Sequence, residues 1–214
     1  MNLTERFFSV RNAIPQGVEL IVVSKKQSVE KIKAIYDAGH RSFGENKVME
    51  LMEKKDLLPN DIQWHLIGHL QTNKVKYIAP FVHLIQSVDS LKLATEIDKQ
   101  AKKNNRIINC LLEIYIASEE TKFGFSFEEA ESFLINELTS FPNIRITGLM
   151  GMATNTENKE QVSREFKSLV DFYKKYEKTF TFTHLSMGMT SDYKMAIEAG
   201  SNMVRIGSAI FNEI

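Results

Sequence analysis

Residues 18–39 read VELIVVSKKQSVEKIKAIYDAG and contain one complete strand, loop and helix pattern. The run VELIVVS is rich in branched apolar residues, which is typical of a strand that is buried on both faces. The following SVEKIKAIYDAG has apolar residues at helical spacing, and Gly39 marks the end of that helix. The stretch therefore predicts a parallel strand followed by a crossover helix.

The same order of strand and helix recurs along the rest of the chain. Seven more apolar runs predict strands: RSFGEN (41–46), IQWHLIG (62–68), VHLIQSVD (82–89), INCLLEIYI (108–116), IRITGLMGM (144–152), FTHLSMGM (182–189) and MVRIG (203–207). Helical patterns lie near the N-terminus, in KVMELMEKKDLL, and at about 73–79, 90–103, 126–139, 158–177 and 192–199. We predict an α/β protein with one domain over residues 1–214, a (β/α)8 TIM barrel preceded by an N-terminal helix. An open doubly wound sheet is the alternative, but no Gly-x-Gly-x-x-Gly turn follows the first strand.

The composition disfavours two classes of partner. Lys plus Arg equals Asp plus Glu at 27 each, so the net charge gives no attraction to nucleic acid or to an anionic membrane. The stretch MNLTERFFSVRNAIPQ has charges throughout, which predicts neither a signal peptide nor a membrane span. The single cysteine, Cys110, lies in an apolar run and fits a reducing compartment. We expect a cytoplasmic monomer.

Polar side chains stand at the C-terminal ends of the predicted strands, where the active sites of this barrel collect. They include Lys25, Asn46, His65, Ser186 and Arg205. A structural role is the alternative for two of them, because Asn46 can cap the next helix and His65 can be a satisfied core histidine. The five histidines occur singly, so no metal site is predicted.

The end of the chain predicts an anion site. The eighth strand ends in RIGS, and an apolar helix follows it. In this fold the loops after strands seven and eight form a recurrent phosphate cradle. Gly207 allows close backbone approach, and the amides of Gly207 and Ser208 can donate to an anion. A simple turn is the alternative.

Closure of the barrel makes the first and eighth strands neighbours. A lysine amine, from Lys25 or Lys26, would then stand beside the phosphate cradle. Pyridoxal 5′-phosphate (PLP) is the cofactor that needs both groups, and its protein partners often include an Asp or Arg at the pyridine nitrogen. Arg205 is placed for that role, since it lies two residues before Gly207 on the same side of the strand. A salt bridge at the barrel mouth is its alternative use.

Seven stretches resemble, in this order, the YggS/PROSC family of pyridoxal phosphate homeostasis proteins. They are VVSKKQS, FGENKVME, WHLIGHLQTNKVK, QSVDSLKLA, EETKFGF, LMGMAT and LSMGMTSDYKMAIEAGSNMVRIGSAIF, and together they extend along nearly the whole chain. The family's fold resembles the barrel domain of bacterial alanine racemase. One departure is Asn212, which stands where family members often have a glycine.

The resemblance implies the cofactor and its attachment. PLP is expected as a covalent aldimine on Lys25, which directly follows Val-Ser, and not on Lys26. Arg205 is expected to face the pyridine nitrogen.

The resemblance also implies the other contacts of the cofactor. Ser186, Gly207 and Ser208 are expected to hold the phosphate. Asn46 is expected beside the ring, and His65 at the rim of the pocket.

The expected function is to buffer or deliver PLP inside the cell, and so to affect amino-acid and keto-acid metabolism, with PLP-dependent apo-enzymes as candidate recipients. An arginine at the ring nitrogen keeps that nitrogen unprotonated, and the chain ends after the eighth strand without a second domain, so we expect no efficient turnover. The alternative is a weak PLP-dependent amino-acid racemase in which Tyr115 or His65 supplies an acid. A Schiff-base aldolase without a cofactor is a further alternative.

Overall fold

The computed structural model describes residues 1–119 and 123–212, and in these ranges eight parallel strands form a closed barrel. The strands are β1 Glu19–Val23, β2 Ser42–Glu45, β3 Gln63–Leu66, β4 Leu84–Val88, β5 Ile108–Ile114, β6 Ile144–Gly151, β7 His184–Ser186 and β8 Met203–Ile206. Each strand pairs with the next, and β8 pairs with β1. The predicted (β/α)8 barrel is confirmed. Residues 120–122 of the EETKFGF stretch lie outside the described residues.

Helices connect the strands on the outside of the barrel. They are α1 Leu3–Ala13, α2 Val29–Asp37, α3 Val48–Leu57, α4 Val75–Ile78, α5 Leu91–Lys103, α6 Phe127–Ser132, α7 Lys159–Tyr176, α8 Tyr193–Ala199 and α9 Ser208–Phe211. The predicted N-terminal helix is α1. Of the helices in the described part of the chain, none is long and apolar enough to cross a bilayer.

The helix predicted at about 126–139 differs from the observed structure. After α6 the chain passes into a π-helical turn, Phe133–Glu137, and then a 3₁₀ turn, Leu138–Ser140. The spacing of apolar residues in a sequence indicates a helical face. It does not distinguish an α-helix, whose backbone hydrogen bonds span four residues, from a 3₁₀ or π-helix, whose bonds span three or five. The pattern therefore predicted the segment but not its changes of pitch.

Polar caps fix where the outer helices begin. The side chains of Ser28, Ser90 and Asn158 accept hydrogen bonds from backbone N–H groups in the first turns of α2, α5 and α7. Elsewhere on the barrel wall, α1 is tied to α9 because Arg6 Nε donates to the Ile210 carbonyl oxygen at 2.8 Å. The capping bonds pair backbone N–H groups at the helix N-termini, and the Arg6 bond joins α1 to α9.

The apolar residues form two layers. The larger layer lies between the strands and the surrounding helices. A small cluster fills part of the barrel interior, with Ile21, Leu84, Leu111, Met150 and Met203 from five different strands. Residues two apart on a strand share a face, so Met203 and Arg205 of β8 both point inward. The interior is thus apolar in one part and polar in another.

An extra residue in β6 disturbs its pairing with β5. Cys110 pairs with Ile146 but Leu111 pairs with Gly148, so Thr147 is left unpaired. The backbone of β7 approaches Gly148 so closely that a Cβ there would lie 1.8 Å from the His184 carbonyl oxygen. Only glycine fits at this position.

We expect Gly148→Ala to destabilise the protein by more than about 2 kcal/mol, because the added methyl group forces β6 and β7 apart. Gly39→Ala is the control, because Gly39 has a φ of +98° but, apart from its chain neighbours, no heavy atom of residues 1–119 and 123–212 lies within 4 Å of the position that a methyl group would occupy. It is expected to cost only about 1 kcal/mol of backbone strain. Urea unfolding of both variants measures the difference, and equal losses would contradict the steric explanation.

Candidate functional site

A cavity of about 580 Å³ opens at the C-terminal ends of the strands, a volume within the usual range for small-molecule sites. Five of the residues singled out from the sequence line it, namely Lys25, Asn46, Arg205, Gly207 and Ser208. They come from the two ends of the chain, and closure of β8 on β1 brings them together. We refer to this space as the Lys25 cavity.

Lys25 lies in the turn that follows β1. The turn is fixed by two backbone hydrogen bonds, from Ser24 N to Gly44 O and from Gln27 N to Ser24 O, both at 3.0 Å. The Lys25 side chain is exposed and makes no hydrogen bond or ion pair with any residue in 1–119 or 123–212. Lys25 lines the cavity whereas Lys26 does not. Both lysines border an adjoining space of about 470 Å³ that also includes Gly207 and Ser208, so only the Lys25 cavity distinguishes them.

Asn46 follows β2 directly and is half-buried at the cavity wall. It does not cap α3, because the capping position is Lys47, which makes no side-chain cap bond. Gly68 after β3 packs against Asn46, since a Cβ on Gly68 would lie 2.6 Å from the Asn46 carbonyl oxygen. The alternative of a helix cap is therefore wrong for Asn46.

The loops after β7 and β8 meet at the cavity. Ser208 Oγ donates to Thr190 Oγ1 at 3.0 Å, and both residues line the cavity together with Ser191. The sequence analysis missed Thr190 and Ser191, although their signal is present as two hydroxyl residues shortly after Gly188 in the same loop. Hydroxyl groups from both loops thus stand beside the backbone of RIGS.

Gly207 is required by the barrel wall itself. A Cβ at this position would lie 2.8 Å from the Val23 carbonyl oxygen of β1. The glycine therefore lets β8 pass close to β1. A larger residue here would disturb the wall whether or not an anion binds, so substitution of Gly207 does not test for a phosphate site.

Arg205 is a charged side chain that lines the cavity and is only 4% exposed, in contrast to the exposed Lys25. Nη1 donates to Ser186 Oγ at 2.6 Å and Nη2 donates to the Gly151 carbonyl oxygen at 3.1 Å. Burial lowers the pKa of Arg205 to about 10, although the carboxyl groups of Glu113 and Asp192 oppose this change. The guanidinium is therefore protonated at neutral pH. Within the described ranges it makes no salt bridge, so the alternative of an ion pair at the barrel mouth is not observed.

Ser186 does not line the cavity, contrary to the expectation that it holds a phosphate. It is fully buried, and its hydroxyl donates to Gln86 Oε1 at 2.6 Å as well as accepting from Arg205. Since Gln86 is on β4 and Ser186 on β7, their hydrogen bond crosses the barrel interior. Ser186 points inward because it ends its strand on the interior face, and Thr190 and Ser191 of the following loop reach the cavity in its place.

His65 is also inside the barrel rather than at the pocket rim. It is 1% exposed, and Gln86 Nε2 lies 3.0 Å from His65 Nδ1, while His65 Nε2 has no partner among the described residues. Burial, with smaller effects of His83, His184 and His40, lowers the pKa of His65 well below its usual value, so the ring is neutral. No group of three or more His, Cys, Asp or Glu residues within 1–119 and 123–212 is arranged to hold a metal ion.

Glu113 on β5 is a buried carboxyl group near Arg205. It is 3% exposed, and burial together with the charge of Asp89 raises its pKa to about 8, although Arg205 acts in the opposite direction. The group is therefore mainly protonated at neutral pH. Glu113 lies in the predicted strand INCLLEIYI, but the sequence contained no signal for its protonation state.

A larger cavity of about 1090 Å³ adjoins the Lys25 cavity and shares Met152, Met189 and Ser191 with it. Its other walls come from the loop after β6, the start of α7, and Asp192 and Met195 at the start of α8. We take the smaller cavity as the candidate site because it combines an amine, a buried guanidinium and hydroxyl groups from two loops.

Comparison with known proteins adds sequence and structural relatives. The family model of the alanine racemase N-terminal domain matches residues 2–213. A pyridoxal phosphate homeostasis protein of Aquifex aeolicus is 38% identical over 100% of this chain and 99% of its own length. A protein of the same name from Vibrio alginolyticus is 37% identical over 92% of this chain and 87% of its own.

Among solved structures, PipY of Synechococcus elongatus with PLP bound superimposes with a TM-score of 0.89 and 31% identity, covering 99% of this chain and 100% of that one. The alanine racemase of Clostridium difficile matches with a TM-score of 0.82 but only 16% identity, over 100% of this chain and 57% of its own. This second likeness concerns the fold alone.

Glu113→Gln is expected to flatten the pH dependence of the free energy of unfolding. Between the ordinary carboxyl pKa of 4.5 and about 8, the folded protein keeps a proton on Glu113 that the unfolded chain releases. Stability should therefore fall as the pH rises through this window, by at most about 1.4 kcal/mol per pH unit, and neutral Gln removes this contribution.

Urea unfolding across the same pH window measures the effect. Glu128→Gln, on the exposed surface of α6, is the control and should keep the wild-type profile. Identical slopes for wild type and Glu113→Gln would show that Glu113 is ionised in the folded protein.

Proposed function

This chain belongs to the alanine racemase N-terminal domain family, and from this premise we propose that it is a PLP-binding protein that buffers or delivers the cofactor inside the cell. Relatives that match nearly the whole chain are named pyridoxal phosphate homeostasis proteins, and the PipY structure contains PLP. By this function the protein would influence amino-acid and keto-acid metabolism.

The observation that carries the proposal is the composition of the Lys25 cavity. Lys25 faces the same space as Arg205 and the hydroxyl groups of Thr190 and Ser208. An amine, a fixed cation and hydroxyl donors are the groups that an aldehyde-bearing aromatic phosphate requires. The residues present therefore fit the cofactor.

Each of these residues has a separate role in the proposal. Lys25 Nζ supplies the amine for a Schiff base with the PLP aldehyde, since it is exposed to the cavity and has no competing partner among the described residues. Ser208 and the backbone at Gly207, with Thr190, hold the phosphate, because hydroxyl and amide groups are its natural donors. Asn46, which also lines the cavity, would contact the ring.

Arg205 determines what chemistry the site favours. When bound, PLP would withdraw electrons strongly from a substrate only if its pyridine nitrogen were protonated. A guanidinium donates hydrogen bonds and accepts none, so Arg205 leaves a facing nitrogen unprotonated. Ser186 and the Gly151 carbonyl fix the orientation of Arg205. In our proposal this residue would therefore favour binding of the cofactor over turnover.

No observation favours the racemase alternative. It required Tyr115 or His65 as an acid, but Tyr115 Oη donates to the Glu119 carbonyl oxygen at 2.7 Å and His65 is buried in the barrel. Neither residue is part of the lining of the Lys25 cavity.

We propose that PLP-dependent apo-enzymes receive the cofactor and that the protein acts as a cytoplasmic monomer. The exposed position of Lys25 at the cavity supports transfer to a partner, because the amine and its ligand remain accessible. The buried Cys110, whose pKa is raised by burial, is consistent with a reducing compartment.

Lys25→Ala is expected to abolish the visible absorbance of the Schiff base when PLP is added, and to prevent trapping of PLP by borohydride. The reason is that Lys25 is the one lysine among the described residues that lines this cavity, although Lys26 borders the adjoining space. Lys26→Ala is the matched control and should retain both signals. Peptide mapping of the reduced wild-type adduct identifies the lysine, and a label on Lys26 would contradict the assignment.

The phosphate group is expected to dominate affinity. Each charge-assisted hydrogen bond contributes about 1.5–3 kcal/mol, so pyridoxal should bind at least roughly tenfold more weakly than PLP. The double variant Thr190→Val/Ser208→Ala should lower affinity for PLP and leave affinity for pyridoxal nearly unchanged. Titrations with both ligands measure this, and equal affinity for the two would exclude a phosphate site in these loops.

A further inference from the structure

A buried lysine lies beneath the turn that carries Lys25. Lys54 is in the second turn of α3, yet it is only 5% exposed. Its Nζ donates to the Ser24 carbonyl oxygen at 2.7 Å, to Glu45 Oε1 at 2.7 Å and to Glu50 Oε1 at 2.6 Å. All three protons of the ammonium are therefore used.

The acceptors of Lys54 also hold the residues on both sides of Lys25. Ser24 Oγ donates to Glu45 Oε1 at 2.6 Å, and the backbone N–H of Lys26 donates to Glu50 Oε1. Lys26 has a φ of +61°, a left-handed conformation that a residue with a side chain adopts only when its surroundings impose it. The ammonium group of Lys54 thus holds Ser24 directly, and it holds Lys26 indirectly through Glu50.

Burying these charged groups has a large cost in folding free energy if their only role is to attach α3 to the barrel. Glu45 is fully buried, its Oε2 has no partner among the described residues, and burial raises its pKa despite the hydrogen bonds from Lys54 and Ser24. Buried ion pairs often contribute less to stability than apolar residues of similar size would. In some proteins such buried charges fix one geometry, and the groups bonded here to Lys54 and its two carboxylates belong to the Lys25 turn.

We propose that Lys54 is a positioning residue that clamps the backbone on both sides of Lys25 and so presents the Lys25 amine to the cavity. The proposal rests on the PLP-binding function proposed above. It assigns a role to Glu45, Glu50 and Lys54, which occur in FGENKVMELMEK and do not line the Lys25 cavity.

The first test separates the covalent step from binding of the rest of the ligand. Pyridoxine 5′-phosphate has the ring and the phosphate of PLP but no aldehyde, so it cannot bond to Lys25. In Lys54→Met, the rate of Schiff-base formation with PLP is expected to fall about 10- to 100-fold, because the backbone that carries the amine is no longer held in one conformation. Affinity for pyridoxine 5′-phosphate is expected to change by less than about twofold.

Two further proteins control this experiment. Lys55→Met removes the neighbouring lysine, which pairs with Asp56, and should behave as wild type. Glu45→Gln/Lys54→Met removes the clamp and the fully buried carboxylate together, so it avoids an uncompensated buried charge and should show the same selective loss as Lys54→Met.

Hydrogen exchange provides a readout that needs no ligand. In PLP-free protein, the amides of residues 24–27 are expected to exchange faster in Glu45→Gln/Lys54→Met than in wild type or Lys55→Met, because the Lys26 turn loses its restraint.

The outcomes distinguish this inference from the proposed function. Equal loss of PLP and pyridoxine 5′-phosphate, or unchanged Schiff-base formation in either folded Lys54 variant, overturns the positioning role. If wild type itself does not capture PLP on Lys25, the proposed function fails, and unchanged exchange at residues 24–27 then overturns the clamp as well.

Discussion

The pairing of β1 with β8 is the contact on which the candidate site depends. Ile21 pairs with Arg205 and Val22 with Ile206, so the two strands run in register to their C-terminal ends. Gly207 lets them approach closely at the next residue, where any Cβ would touch Val23 O. Barrel closure therefore places the turn that contains Lys25 beside the loop that contains Gly207. The cavity is formed only when these two distant parts of the chain meet.

The inside of the barrel supports this site through a polar chain rather than through apolar packing alone. His65, Gln86, Ser186 and Arg205 form consecutive hydrogen bonds across β3, β4, β7 and β8. Burying these groups would be costly if they were unpaired, and the hydrogen bonds offset most of that cost. The result is that Arg205 has a fixed orientation before any ligand binds, which reduces the entropy lost on binding.

The polar groups of the cavity are thus held by three different parts of the fold. Strands β6 and β7 orient Arg205, the loops after β7 and β8 join Thr190 to Ser208, and α3 reaches under the Lys25 turn with Lys54. Such support from outside the cavity is what keeps a binding geometry within the narrow tolerance of a covalent or bidentate contact. The proposed positioning role of Lys54 would account for the buried charged side chains of Glu45 and Lys54 in FGENKVMELMEK.

The sequence by itself determined the eight strands, the helices between them, and the positions of Lys25, Gly207 and Ser208 at strand ends, because apolar periodicity and turn residues are local properties of the chain. It also indicated the family, through stretches that extend along nearly the whole chain. Only the tertiary structure decided which polar residues face the cavity. Ser186 and His65 lie in the barrel interior, whereas Thr190 and Ser191 line the cavity. The physical reason is that the depth of an inward-facing side chain depends on strand tilt and on partners from other strands, such as the bonds of Gln86 to His65 and Ser186. The burial of Lys54 likewise depends on Ser24 after β1 and Glu45 of β2.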